Sequence, residues 1–443
     1  MEQIPAAARR VLEIMENHGF AAYLVGGCVR DLLRGKRPQD WDMTTNARPE
    51  QVMALFEGAA IPTGLQHGTV TVWDGENSFE VTTFRKDGDY GDHRHPDHVT
   101  FTDSLAEDLM RRDFTINAMA LDLRGELTDL YGGREDLAAG VIRCVGDARR
   151  RFDEDALRIL RGLRFAAALG FELEDETERG ARAMAPLLNS VASERIREEL
   201  LKLLCGDHVV PVLLRYPDIL GVFLPEILPS VGCDQRNCHH CYDVWEHIAR
   251  AVGFAAPDGE LRMVMLLHDL GKPACMTVDE EGVGHFKGHA EESYRLGAAI
   301  LERLRFSRDS TERILSLVKR HDAPIEPTER AIRRVLHKMT PEGAWDLLRV
   351  KRADNLAQAP AYLGRQQEID GLERLLQSVL DRNSCFSLKQ LAVNGNDLKE
   401  RGYRGPEIGR ALRWLLNAVI DGRLPNEKNA LLEALEQAEI KAE

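Results

Sequence analysis

The chain of 443 residues has no apolar run near the roughly 20 residues that a membrane-spanning helix needs. Its opening stretch, MEQIPAAARRVLEIMENHGF, carries acids and lacks a long apolar centre, so no signal peptide is expected there. It reads as an amphipathic helix, with Val11, Ile14 and Met15 at helical spacing. Cysteine is scarce. Eight are too few for a disulfide scaffold, and the expected compartment is the cytoplasm. An excess of cations is lacking too: 58 Lys and Arg stand against 72 Asp and Glu, a net charge of −14. A uniformly basic nucleic-acid coat is thereby excluded, whereas a local basic stripe is not. Low-complexity tracts and fixed-period repeats are also missing. What remains, 44% hydrophobic and 29% charged, is a globular composition. The length suggests about three domains at roughly 150 residues each.

Strand signals cluster early, in AAYLV, TVTVW and FEVTTF, each bounded by Gly, Asp or Asn. A helix enters through Arg48-Pro49-Glu50. Beyond about residue 149 they nearly vanish. FDEDALRILRGLRFAAALGF, SERIREELLKLL, ESYRLGAAILERL and RALRWLLNAVI are helical patterns. The expected class is α+β, a small α/β head followed by an all-α remainder. Breaks fall at Pro225–Cys233, Ala256–Gly259 and Pro324–Pro327, and the first has the character of a domain boundary.

The head carries YLVGGCVRDLLRGKRPQDWDMTT. A strand, Tyr23–Val25, runs into Gly26-Gly27 and a helix expected to begin near Val29. Two glycines at such a junction let backbone N–H groups approach a phosphate, and Arg30 can reach the same anion. Asp40 and Asp42 follow on an extended segment, where residues i and i+2 share a face. Two adjacent carboxylates repel, and a divalent cation is the usual reason they persist. Mg²⁺ prefers oxygen ligands and brings substrate phosphates with it.

These stretches, with EVTTFRKDGDY, DLMRRDFTINAMAL, DLYGGREDL, RRFDEDALRILRGLRF and NGNDLKERGYRGPEIG, resemble the class II nucleotidyltransferases. That family comprises the tRNA CCA-adding enzymes and their poly(A) polymerase relatives. The resemblance implies that Gly27 and Arg30 hold the triphosphate and that Asp40 and Asp42 carry two catalytic Mg²⁺ ions. It implies that Arg112 and Asp113 meet the sugar and phosphates of the incoming nucleotide. Its partners would be CTP, ATP and the tRNA 3′ end, with no membrane. It further implies an elongated arrangement of head (1–148), neck (149–232), a third helical domain (233–360) and a tRNA-binding tail (361–443).

Asp155 and Arg158 are expected one turn apart on a helix spanning Glu154–Phe165, with Arg161 and Arg164 on the same half. Ala156, Ile159, Leu160 and Leu163 take the other half. A carboxylate accepts and a guanidinium donates. Cytosine and adenine each offer an amino donor beside a ring-nitrogen acceptor, so one pair can satisfy both. Guanine and uracil present the reverse order and would leave polar groups unpaired, at about 1–3 kcal/mol each. Asp155, Arg158, Arg161 and Arg164 match the family's nucleotide-selecting motif, and Arg149, Arg150 and Arg151 upstream are expected to neutralise phosphates.

A second set runs through His247, the adjacent His268-Asp269 with Lys272, then His289, His321 and Asp354. An adjacent His-Asp in an apolar helix with flanking histidines and a late Asp resembles the HD-type metal-dependent phosphohydrolases. Imidazoles and carboxylates suit a divalent transition metal or Mg²⁺, and the two intermediate histidines suggest two ions. Such a domain occurs in some CCA-adding enzymes, where it hydrolyses phosphomonoesters or 2′,3′-cyclic phosphates. Cys238 and Cys241 form a C-x-x-C near Cys233, but a structural zinc site normally needs a second ligand pair, so these cysteines are read as incidental. Alternatives within the class are a poly(A) polymerase or an enzyme adding only CC or only A. The ending EALEQAEIKAE is not the basic tail of the former. The stretch RKDGDYGDHRHPDHVTF resembles the loop associated with the switch to A addition, though His95 precedes Pro96 where the family often has Arg-Arg-Pro. A phosphohydrolase with an RNA-binding head is the alternative from another class.

Overall fold

The computed structural model describes residues 4–88, 99–382 and 384–438. The centre of the RKDGDYGDHRHPDHVTF loop, with His95 and Pro96, lies outside them, as do the first three and last five residues. The chain divides into two compact units, Met1–Leu228 with Arg303–Arg305 and Pro229–Glu302 with Phe306–Glu443. Among the described residues no helix is long and apolar enough to cross a membrane.

The first unit opens with α1 (Ala6–Asn17), β1 (Ala22–Val25), α2 (Gly27–Leu33), β2 (Asp42–Thr45) and α3 (Pro49–Leu55). The strands β3 (Ala60–Gly64), β4 (Thr69–Asp74) and β5 (Asn77–Thr83) follow, then a ribbon of β6 (Arg85–Asp87) and β7 (Val99–Phe101). After α4 (Leu105–Met110) come β8 (Met119–Leu121), β9 (Leu127–Asp129) and α5 (Gly133–Ala139). Seven strands form one sheet in the order β3-β4-β5-β2-β1-β8-β9. β2 and β5 are parallel and the other neighbours antiparallel. α1 and α3 pack on the sheet and bury Val11, Leu12, Met15 and Val52 against Leu24, Met43, Val70 and Val81. α2 starts at Gly27, two residues before the expected Val29. β2 starts at Asp42, so Asp40 lies in the bend before the paired strand rather than on it.

The helical part of this unit comprises α6 (Ala148–Glu154), α7 (Leu157–Leu169), α8 (Asp175–Met184), α9 (Ser193–Leu204), α10 (Val209–Arg215) and α11 (Pro217–Leu220). A two-residue parallel pair links β10 (Val141–Ile142) to β11 (Glu172–Leu173). The continuous helix expected over Glu154–Phe165 does not form. It breaks at Asp155, whose backbone is extended (φ −146°, ψ 103°). Its carboxylate accepts from the Leu157 N–H at 3.2 Å and so caps α7. A short acidic side chain competes with the helix for backbone donors, and here the competition is won at a helix start.

The second unit contains α12 (Val244–Phe254), α13 (Gly259–Leu267), α14 (Lys272–Cys275), β12 (Thr277–Val278) and β13 (Gly284–His285). It continues with α15 (His289–Arg303), α16 (Arg308–Arg320), α17 (Glu329–Lys338), α18 (Pro341–Leu356) and α19 (Arg365–Asp381), and ends in α20 (Gly395–Glu400), α21 (Pro406–Ile420) and α22 (Lys428–Gln437). α13 is buried from Leu261 through Leu267 and packs against α12, α16 and α18. A helix apolar all round belongs at the centre of its neighbours. His268 and Asp269 were expected inside this helix. They sit just past its C-terminal end, where Gly271 and Pro273 turn the chain. A side chain at Gly271 would lie 2.5 Å from the His289 carbonyl oxygen, so glycine lets α15 approach the turn.

Candidate functional site

In the first unit, Gly26 has a φ of +75° and faces Asp42, expected to be catalytic, and Arg112, expected to bind the nucleotide. A Cβ built there would lie 3.6 Å from Asp42 Oδ2 and 3.3 Å from Arg112 Nη1, so a bare backbone is needed between them. Burial pushes the Asp42 carboxyl up, Arg112 opposes this, and the charges of Glu80 and Asp40 push it further up. Excess negative charge at a half-buried carboxylate is the condition that a hard divalent cation relieves, so the donor set fits Mg²⁺. The sequence reading overlooked Glu80. It pairs in register with Asp42 across the parallel β2–β5 edge. Its signal was the alternation in FEVTTF, which turns Glu80 away from the buried Phe79 and Val81.

Arg112 is positioned by a residue the sequence also hid. Asp108 is fully buried, with Arg111 Nη2 at 2.8 Å and Arg112 Nη2 at 3.4 Å. Thr44 Oγ1, from β2, donates to the same carboxylate at 3.2 Å. Burial opposes charge on Asp108, but the two guanidiniums outweigh it and its pKa is lowered. The i,i+3 and i,i+4 spacing in DLMRRD was the available signal.

Asp113 does not stand open to a ligand. Its Oδ2 accepts from Arg161 Nη2 at 2.6 Å and Nε at 2.9 Å. Burial would raise its pKa, yet Arg161 holds it down at about 2. Asn117 links Asp113 to Arg30, donating to Asp113 Oδ1 at 3.4 Å and accepting from Arg30 Nη1 at 2.9 Å. Arg30 stays near Gly27, whose added Cβ would lie 3.6 Å from its Nη2. Three guanidiniums surround the Phe165 ring, with Arg164 4.1 Å, Arg30 5.3 Å and Arg161 5.6 Å from its centre. The structure therefore brings Arg30, Asp113, Arg161 and Arg164 into one connected network, while Arg112 is held by Asp108.

Because the helix breaks at Asp155, Asp155 and Arg158 each reach other partners. Arg158 Nη1 pairs with Glu154 Oε2 at 2.7 Å, and its Nη2 donates to the Arg111 carbonyl at 3.1 Å. Asp155 turns to α9, where Arg195 Nη2 and Nη1 donate to Oδ2 and Oδ1 at 2.9 and 3.3 Å. Arg150 and Arg151 both pair with Glu154.

In the second unit the ordered His/Asp set converges. His247, His268, Asp269 and Asp354 form one group with ligand atoms within 4.8 Å, and Asp269, His289 and His321 form another. Asp269 belongs to both. Its Oδ2 lies 3.2 Å from Nε2 of His247 and of His268. Its Oδ1 lies 3.3 Å from His289 Nε2 and 3.5 Å from His321 Nε2. All four Nδ1 atoms face backbone carbonyls, those of Ala357, Met265, Phe286 and Val318, at 3.2, 2.6, 2.8 and 2.7 Å. A carbonyl only accepts, so each Nδ1 carries a proton and each ring turns its Nε2 inward. Nε2 atoms of His247 and His268 are 3.2 Å apart, and those of His289 and His321 3.3 Å. Four inward-turned Nε2 atoms and a buried Asp269 Oδ1 that accepts no hydrogen bond make a nitrogen and oxygen donor set that fits divalent cations.

Burial opposes charge on Asp269 and Asp354, but the histidines around both, with Lys272 beside Asp269, hold both pKa values well below the usual range. Burial likewise disfavours a proton on His268, but the two carboxylates outweigh it and raise its pKa to about 10. A cavity of about 410 Å³ opens beside this cluster, lined by His240, Lys272, Lys287 and Arg365. Lys272 Nζ lies 2.7 Å from Asp269 Oδ2 and 3.4 Å from His240 Nε2. In the sequence His240 stands with His239 between Cys238 and Cys241, a segment read as incidental. Among the described residues those cysteines join no metal-binding group and all eight are free.

Residues 22–143 match a family model described as "Poly A polymerase head domain". Residues 170–230 match "Probable RNA and SrmB- binding site of polymerase A", and residues 294–435 a model of a second tRNA nucleotidyltransferase domain. A CCA-adding enzyme of Lactiplantibacillus plantarum is 35% identical over 98% of this chain and 97% of the relative. One from Lactobacillus helveticus is 52% identical, over 45% of this chain and about half of the relative's length (50%). The crystal structure of the Bacillus stearothermophilus CCA-adding enzyme in complex with CTP superposes with a TM-score of 0.74 at 31% identity, covering 98% of both chains. The Thermotoga maritima CCA-adding enzyme complexed with tRNA shares the fold, with a TM-score of 0.59 at 20% identity over 99% of this chain and 97% of that one. A full-length relationship at this identity and a matching fold place the chain in the family of the CCA-adding enzymes, the class II nucleotidyltransferases.

Proposed function

We propose that the protein builds and repairs the CCA end of tRNA from CTP and ATP without a nucleic-acid template, releasing pyrophosphate, in the cytoplasm. The observation that carries this reading is the half-buried Asp42 of β2, packed beside Gly26 and Arg112 and facing the further negative charges of Glu80 and Asp40, a crowding of carboxylates that a divalent cation relieves. Asp40 and Asp42 would hold Mg²⁺, which when bound lowers the pKa of the RNA 3′-hydroxyl and stabilises the leaving pyrophosphate. Gly27, Arg30 and Arg112 bind and neutralise the triphosphate, which is most of what phosphoryl transfer asks of a protein. Asp113 orients Arg161, and Asp155, at the break, with Arg158, in the first turn of α7, reads the base edge. Residues 1–148 act as the head, 149–232 as the neck that reads the base, and the tail, 361–443, as a tRNA contact. The test is a tRNA lacking its 3′ end, incubated with Mg²⁺ and each labelled nucleotide. CTP alone should add two residues and ATP one more after them. A run of A from ATP alone would favour a poly(A) polymerase instead.

A second activity is supported by a separate observation, the six-residue His/Asp set in which Asp269 is shared by two groups. We infer a metal-dependent phosphohydrolase there, acting on phosphomonoesters or cyclic phosphates. His247, His268, Asp269 and Asp354 would hold one ion and Asp269, His289 and His321 a second, which polarise the phosphate and supply a hydroxide. Lys272, Lys287 and Arg365 would receive the anion.

A further inference from the structure

A carboxylate can tell C from U only if it stays where the amino group arrives. Uracil carries its N–H donor one ring position away from the place of the cytosine amino group, and guanine does the same relative to adenine. A carboxylate free to swing can meet either donor. Asp155 lies in the extended break between α6 and α7, where the Leu157 N–H, 3.2 Å from Oδ1, holds one oxygen only. Arg195 fixes the rest of the group. The planar guanidinium donates to both oxygens, at 2.9 and 3.3 Å, and this two-point contact sets the plane of the carboxylate as a single contact would not. Asp155 and Arg195 are largely shielded, with side chains 16% and 26% exposed. One turn further along α9, Glu199 Oε2 holds Arg164 Nε at 2.7 Å. Residues i and i+4 share a helix face, and α9 packs along α7. One face of α9 thus holds both Asp155 and Arg164.

We propose that Arg195 is a positioning residue for nucleotide choice. It holds the Asp155 carboxylate so that the remaining lone pairs meet only the exocyclic amino group of C or A, which makes α9 a specificity element. The proposal rests on Asp155 reading the base, as stated under the proposed function.

The experiment measures kcat/KM for CTP, UTP, ATP and GTP on tRNA ends awaiting C or A. It uses the full chain, Arg195→Met, Arg195→Lys, Asp155→Ala and the Asp155→Ala/Arg195→Met double variant, with a thermal melt of each. Arg195→Met should cut the CTP:UTP and ATP:GTP ratios by about tenfold or more, and lower kcat for the correct nucleotide by less. Arg195→Lys, which keeps the charge but not the fork, should fall between it and the parent. In the Asp155→Ala background Arg195→Met should change the ratios no further. Ratios within twofold of the parent in Arg195→Met, while Asp155→Ala loses selectivity, would overturn the proposal and leave base reading intact. A further loss of equal size in the double variant would overturn it too, since Arg195 would then act elsewhere. Parental ratios in Asp155→Ala would instead remove the base-reading assignment itself. If Arg195→Met does not fold, Arg195→Lys decides alone: a ratio lowered at least threefold supports the proposal, and an unchanged one defeats it.

Discussion

Asp113 illustrates what a single residue contributes here. It is 8% exposed and would resist ionisation by burial alone, yet Arg161 holds its pKa at about 2 against an ordinary 3.8. A depressed carboxylate stabilises the fold above its unfolded pKa, and that contribution is lost as the pH falls through the folded value. Melts of the parent and Asp113→Asn should therefore differ by on the order of 1–2 kcal/mol at pH 6, draw together below about pH 4, and converge only below about pH 2. A constant difference across that range would show that the charge of Asp113 is not what stabilises. Asp155→Ala is expected to spare some transfer but lose discrimination against U and G by about 1–3 kcal/mol, roughly ten- to a hundredfold. The ratio of incorporation efficiencies, CTP against UTP and ATP against GTP, measures this. A slower but equally selective enzyme would show that Asp155 does not read the base. Residue identities at these positions were legible because their motifs are long. Their partners were not. Arg195 and Glu199 sit in an ordinary amphipathic helix pattern, and Asn117 in an apolar one, so that only packing reveals what they hold.

At the level of elements, SERIREELLKLL and RALRWLLNAVI could be read directly as α9 and most of α21, since one apolar stripe per helix suffices. The β1, β4 and β5 strands were likewise visible from β-type residues between turn formers. The break at Asp155 was not, because periodicity continues through it. Ala156 and Ile159 remain buried on either side of the start of α7. Nor was the end of α13 visible before His268, since Leu270 keeps the apolar run going. Glycine marks one contact between elements that composition cannot show. At Gly133, the start of α5, an added Cβ would lie 2.2 Å from the Thr115 carbonyl oxygen and 2.9 Å from Met119 Cγ. Gly133→Ala should destabilise the protein by about 1–3 kcal/mol, read as a lower melting temperature. An unchanged melting temperature would mean that α5 can shift away from the Thr115 turn at no cost.

At the scale of the whole molecule, two compact units carry two candidate chemistries, the carboxylates of the first and the His/Asp cluster of the second. The two should be separable. His268→Ala is expected to abolish hydrolysis of phosphomonoesters or cyclic phosphates assayed with Mn²⁺, Ni²⁺ or Mg²⁺, while CCA addition continues. If the parent hydrolyses none of these with any of the three metals, the second activity is refuted. The central claim is that Asp40 and Asp42 carry nucleotide addition, and its most direct measurement is addition of labelled C and of labelled A to a tRNA lacking its 3′ end by Asp40→Ala and Asp42→Ala, each with a melt to verify the fold. The account predicts that both additions disappear together in either variant while the melting temperature stays near the parent's. Near-normal C addition by a folded Asp42→Ala protein would contradict it.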